Sequence, residues 1–191
     1  MLPTPRDVLD FWFIEVGAEG WYKQSDSFDM LCRDRFGALL EAAAAAGLYG
    51  WRRDAEGRLA EIIVLDQFSR NIWRDTPRAF AQDAMALVLA QEMVAAGLDA
   101  ALPPERRAFV YMPYMHSESA AIHVVATALF AADGMAENAE FEARHFEARH
   151  FEAKHKAIID RFGRYPHRNA ILGRVSTPAE IAFLAEPGSS F

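Results

Sequence analysis

Apolar positions recur at helical spacing along almost the whole chain, and the runs are punctuated by helix caps and stops rather than by strand alternation. Thr4-Pro5 sets an N-cap before a proline suited to the first turn, and Asp7 suits the helix dipole there. The VLDFWFIEV that follows is apolar nearly all round, which predicts a buried helix. A second helix opens at Ser25 or Asp26 and runs through an alanine-rich end to a stop at Gly47. A third spans about Gly57 to Asn71, and a fourth Thr76-Pro77 to Gly97. The fifth follows Pro103-Pro104 and ends near Pro113, and the sixth covers Ser117 to Ala132. A long seventh runs from about Glu137 to Phe162 with Gly163 as its stop, and Thr177-Pro178 opens a last short one. Since no hairpin-spaced alternation occurs, the expectation is an all-α array of about seven to nine helices packed as helical hairpins, with essentially no sheet. Trp12, Phe13, Ile63, Phe68, Leu129 and Ile159 are expected in its core. No low-complexity linker interrupts the chain, so residues 1–191 read as a single α-helical domain.

Composition narrows the function classes. A chain of 191 residues that is 52% hydrophobic can bury a sizeable core. Its 27 acidic residues against 20 basic ones give a net charge of -7, which argues against a nucleic-acid surface. The lone Cys32 excludes an internal disulfide and, placed within an amphipathic helix, reads as a buried, inert thiol. No basic region followed by an apolar run marks the N-terminus, and Ala120–Ala132 is too short to span a bilayer and carries His123 and Thr127. A cytoplasmic protein without a membrane partner is expected.

The chemistry gathers at three places. The segment RFGRYPHRNAILGRVSTP, Arg161 to Pro178, packs Arg161, Arg164, Arg168 and Arg174 with Tyr165, His167 and Asn169. DQFSRNIWRDTP, Asp66 to Pro77, echoes it: an aromatic, then Arg-Asn, a short gap, Arg and Thr-Pro. Between them in sequence stands Tyr114-Met115-His116-Ser117-Glu118, where Ser117 suits an N-cap and Glu118 the first turn. The stripe of Leu59, Ile62 and Ile63 continues through Asp66, Gln67 and Arg70, with Leu65 and Phe68 apolar on the other side, so these polar groups need partners. Two readings stay open. In one, the charges form an internal network in which Arg70 and Arg168 cap helix ends. In the other, Asp66 and Glu118 hold arginines that await an anion. The two loops and the His-Ser-Glu turn are expected to converge.

The repeat FEARH-FEARH-FEAKH, Phe141 to His155, offers three Glu-x-x-His pairs, but its five-residue period turns His145, His150 and His155 to different sides of a helix. No metal site is expected there. His145 and His150 read as surface residues, whereas His155 shares a stripe with Phe151, Ile158, Ile159 and Phe162 and reads as inward-facing. The sequence contains no Gly-rich phosphate loop, H-E-x-x-H, Cys-x-x-Cys or nucleophile elbow, so no cofactor is expected.

VLDFWF (Val8–Phe13), LDQFSRNIWRDTPRAFAQD (Leu65–Asp83), Met115–Glu118 and RFGRYPHRNAILGRVSTPAE (Arg161–Glu180) together resemble the bacterial family called domain of unknown function 924. The resemblance implies an all-helical, tetratricopeptide-like fold with no established activity. Its motif positions fall on Asp66, Gln67, Arg70 and Asn71, on His116, Ser117, Glu118 and His155, and on Arg161, Arg164, His167, Arg168 and Asn169. Ser69 departs from a frequent Pro, and Tyr165 from a frequent Phe. These residues are expected to bind a small anionic ligand or a peptide, in a binding module. The alternative is a metal-independent enzyme using His116 or His155 as acid/base on an anionic substrate.

Overall fold

The computed structural model describes residues 1–21, 24–132 and 139–189, with the side chains of 139–149 left aside. Among the described residues the chain forms eight helices and no strand. Helix α1 (Pro5–Asp10) starts on a capping box between Thr4 and Asp7 and widens into a π-helical turn over Phe11–Val16. Helix α2 is Asp26–Ala44, capped by Ser25. Helix α3 (Ala55–Ile63) also widens, over Val64–Phe68, before a final turn at Ser69–Ile72. Helices α4 (Asp83–Ala95), α5 (Pro104–Met115), α6 (Ala120–Ala132), α7 (Ala139–Phe162) and α8 (Pro178–Leu184) follow.

Several boundaries differ from the sequence reading. The left-handed residue that ends α2 is Ala46, with φ 57°, not Gly47. The Gly47 N–H instead closes back on the Ala42 carbonyl at 2.8 Å, a hydrogen bond that seals the helix end. Pro77 opens a separate 3-10 turn, Pro77–Phe80, and α4 begins only at Asp83. Helix α5 runs through Pro113 to Met115, two residues past the proline expected to end it. Gly163 does stop α7, with φ 67°.

The helices pack as two compact units, residues 1–74 with 78–113, and residues 75–77 with 114–191. In unit 1, Phe11, Phe36 and Phe68 stack within 5.9 Å of one another, and Trp12 meets Phe68 at 5.6 Å and Phe109 at 5.8 Å. Helix α1 packs on α3, whose Leu59, Ile62, Ile63 and Leu65 are fully buried. Phe13 is only partly buried, packed edge-on against Trp21 and Phe109 beneath the Arg106 guanidinium. In unit 2, α6 packs on α7, and Ile158, Ile159, Tyr165 and Phe183 form a core flanked by Phe162. The inward face of α6 is His123, Ala126 and Phe130, which leaves Leu129 partly exposed.

One buried charge anchors the turn before α3. Glu61 is fully buried and accepts both Nε and Nη2 of Arg52 at 2.7 Å. Arg52→Ala should therefore lower the stability of unit 1 by roughly 3 kcal/mol, by stranding that carboxylate. Urea unfolding should show a lower midpoint with an unchanged m-value.

Candidate functional site

In unit 1 the motif residues sit at the end of α3. Asp66 is buried in the π-helical turn, where its carboxylate accepts Gln67 Nε2 at 2.6 Å and lies 3.1 Å from Arg70 Nη1. Gln67 Nε2 also approaches Met112 Sδ at 3.3 Å. Arg70 grips Asp83 through both terminal nitrogens, at 2.9 and 3.1 Å. Asn71 and Arg74 converge on the buried Asp29, with Asn71 Nδ2 at 3.1 Å and Arg74 at 2.5 and 2.9 Å. This side chain of α2 was not among the sequence candidates.

In unit 2 the Arg161–Pro178 segment closes on the turn between α5 and α6. Glu118 receives Arg174 in two bonds, 2.6 and 2.9 Å, and the Tyr165 N–H at 2.9 Å. Burial pushes the Glu118 carboxyl up, but the Arg174 bonds, the Tyr165 N–H and the charge of Arg168 outweigh it and hold it below the usual range. Arg164 holds Glu180 at 2.6 and 2.8 Å, and Glu180 in turn forms the capping box of α8 with Thr177. The Arg164 bonds are the largest cause of a strongly lowered Glu180 pKa. Arg168 is buried, lies 4.6 Å from the Tyr165 ring and donates to the His116 carbonyl just past the end of α5. Asn169 bonds Ser176, while Arg161 is exposed over the rings of Phe162 and Phe183. Ser117 does not cap α6. Its hydroxyl accepts the Ser119 N–H, and the Ser119 carbonyl receives the first helical bonds.

Tyr165 is the centre of this cluster. Its ring stands 5.6 Å from His155, 5.6 Å from His167 and 6.3 Å from His123, and His155 is 6.4 Å from His116. The hydroxyl donates to the Met115 carbonyl at 2.5 Å and lies 3.1 Å from His123 Nε2. That nitrogen also faces the Ser117 carbonyl at 2.9 Å. A carbonyl can only accept, and the phenol hydrogen is committed to Met115, so Nε2 must carry a proton. The other ring nitrogen meets Glu152 Oε1 at 2.9 Å. Both side chains are essentially inaccessible, at 0% and 2%.

Sequence reasoning missed this dyad. A histidine in the otherwise apolar Ala120–Ala132 run was its signal, because such a side chain needs a polar partner. Of the three Glu-x-x-His pairs, Glu142/His145 lies outside the described side chains, as does Glu147 of the second, while His150 is exposed. The third pair splits, Glu152 turning to His123 and His155 to Tyr165. Among the described residues no group of three or more His, Cys, Asp or Glu could hold a metal ion, and no helix is long and apolar enough to cross a membrane.

His155 was one of two acid/base candidates. Burial pushes its imidazole down to about 3, against the raising effect of its bond to the Phe151 carbonyl, and the neighbouring His116, His123 and His167 lower it further. So weak a base stays neutral near neutrality and is poorly matched to proton transfer there. Cys32 is buried, and that burial pushes its thiol up to about 12, which makes it inert.

The family model of the bacterial proteins of unknown function DUF924 matches residues 8–188, spanning both units and every motif described above. The chain belongs to the DUF924 family. It is also similar to a solved structure of a protein of unknown function, ATU0120 from Agrobacterium tumefaciens. The two share 36% sequence identity with a TM-score of 0.85, over 95% of this chain and 96% of that one. No curated protein matched the sequence. The matched residues of DUF924 include the Asp66–Asn71, His116–Glu118 and Arg161–Asn169 segments.

Proposed function

We propose that this DUF924 protein is a binding module and that the polar face of unit 2 takes a small anionic ligand, bearing a phosphate or a carboxylate. The observation that carries the reading is the convergence of His155, His167 and Arg168 around Tyr165, with His116 against His155, while the neighbouring carboxylates Glu118 and Glu180 are already gripped by Arg174 and Arg164. Acids neutralised in this way leave a surface rich in donors, and His116 and His167 are only partly buried. On this reading Arg164 and Arg174 fasten the walls, the buried Arg168 holds the His116 carbonyl, and His116 and His167 meet the ligand. In unit 1, the Asp66, Gln67, Arg70 and Asn71 group makes a second polar cluster of the same kind.

Thermal unfolding with inorganic phosphate, at ionic strength matched by chloride, tests it. A ligand that binds only the folded state stabilises by RT ln(1 + [L]/Kd). Phosphate should raise Tm saturably for the natural sequence and not for His167→Ala, with the two proteins alike in chloride. Equal shifts in both proteins, or none beyond chloride in either, would contradict the proposal.

A further inference from the structure

We propose that unit 1 carries a separate binding site for a small carboxylate with an apolar, planar body, in the cleft between the start of α1 and the turn that precedes α3. The site lies wholly within unit 1 and does not depend on the anion reading of unit 2.

The cleft has a volume of about 530 Å³, within the range of small-ligand pockets. Pro5, Leu9 and the partly buried Trp51 give it an apolar floor. Its walls are fixed before any ligand arrives. Arg52 is locked to the buried Glu61, and Asp54 caps α3 by accepting the Gly57 N–H at 2.8 Å. Gly57 packs so closely on the Trp51 carbonyl that a Cβ would come within 2.0 Å of its oxygen, so only glycine fits. A loop fastened at three points loses little entropy on binding.

The charges choose the ligand. The lining holds Arg6, Arg53 and Arg106 together with Asp10, Asp54 and Glu56, which leaves it neutral in sum. Arg106 is bonded to Glu56 at 2.8 Å and Arg6 to Asp10 at 3.4 Å, whereas Arg53 makes no ion pair among the described residues. One unengaged guanidinium matches one carboxylate in geometry and charge, while a multiply charged phosphate would face three acids. Trp51 beside it offers a flat apolar surface for the ligand's body.

The probe is 3-phenylpropionate, with its uncharged amide as the same-shape control, titrated into the full chain and followed at the Trp51 indole N–H by NMR. A saturable shift is expected with a Kd on the order of 1 mM, as befits so small a ligand. Removing the charge, by the amide or by Arg53→Ala, should weaken binding about tenfold or more, as loss of a charge-assisted hydrogen bond does. Arg53 is exposed, so the variant should keep the Tm of the natural sequence. No saturable change at Trp51, equal affinity for the amide, or unchanged binding by Arg53→Ala would each overturn the proposal.

Discussion

Replacing His123 by alanine should destabilise unit 2 by roughly 3–5 kcal/mol, the usual result of removing one partner of a fully buried pair. The variant leaves the Glu152 carboxylate with Thr127 Oγ1 at 3.4 Å as its remaining contact and empties the space between the Ser117 carbonyl and the Tyr165 hydroxyl. Amide exchange at Ile158 and Ile159, in the core of unit 2, should accelerate accordingly. The paired change His123→Leu with Glu152→Leu removes both buried polar groups and fills the gap with apolar volume, so it should recover most of the loss. If His123→Ala were nearly silent, the dyad would not be the internal fastener that its burial and bonds imply.

Acid should weaken the protein well before its carboxylates protonate. His155 is held neutral in the fold, with its pKa pushed to about 3 from an ordinary 6.5, while the unfolded chain keeps the ordinary value. Between those values the unfolded state binds one more proton, so stability is fully present above pH 6.5 and is lost as the pH falls. The slope approaches roughly 1.4 kcal/mol per pH unit for one such group. Glu180 and Glu118, whose pKa values are lowered from 4.5, add their own losses only as the pH passes below that ordinary value, so the difference made by removing His155 is read in the upper part of the window. Urea unfolding at a series of pH values should show this slope in the natural sequence and its loss in His155→Leu. An identical slope in the two proteins would contradict the assignment.

The helices were legible because their punctuation is chemical and local. Thr4 and Thr177 each read as a cap before a proline, and each forms a full capping box. Gly163 read as a stop and adopts the positive φ that favours glycine. What periodicity could not show was where a helix changes its pitch. The π-helical turns at Phe11–Val16 and Val64–Phe68 rotate each residue less than an α-turn does, so a stripe counted at α-spacing drifts. Phe13 falls within such a turn and is only partly buried. Leu129 failed for a different reason. Helix α6 is apolar on every side, so hydrophobicity alone could not tell its inward face from its outward one.

The polar residues were legible as a set and not as pairs. Asp66, Glu118, Arg70 and Arg168 were recognised as groups that burial would force to find partners, and each has one. The partners Asp29, Asp83, Arg174 and Glu180 lie 13 to 56 residues away from the groups they satisfy. Contacts that long are set by tertiary packing, which no local spacing encodes. The same holds for His123 and Glu152, 29 residues apart. Glu152 stands at Glu-x-x-His spacing from its helical neighbour His155, yet it bonds the histidine of another helix.

The most direct test of the central claim, that the histidine and arginine face of unit 2 takes a small anion, is to follow the imidazole nitrogens by NMR while inorganic phosphate is added at constant pH and ionic strength. The nitrogens of His116 and His167 should shift together along one saturating curve, and His150, exposed on α7, should stay still. Phosphate that left His116 and His167 unmoved, or that moved His150 equally, would contradict the account.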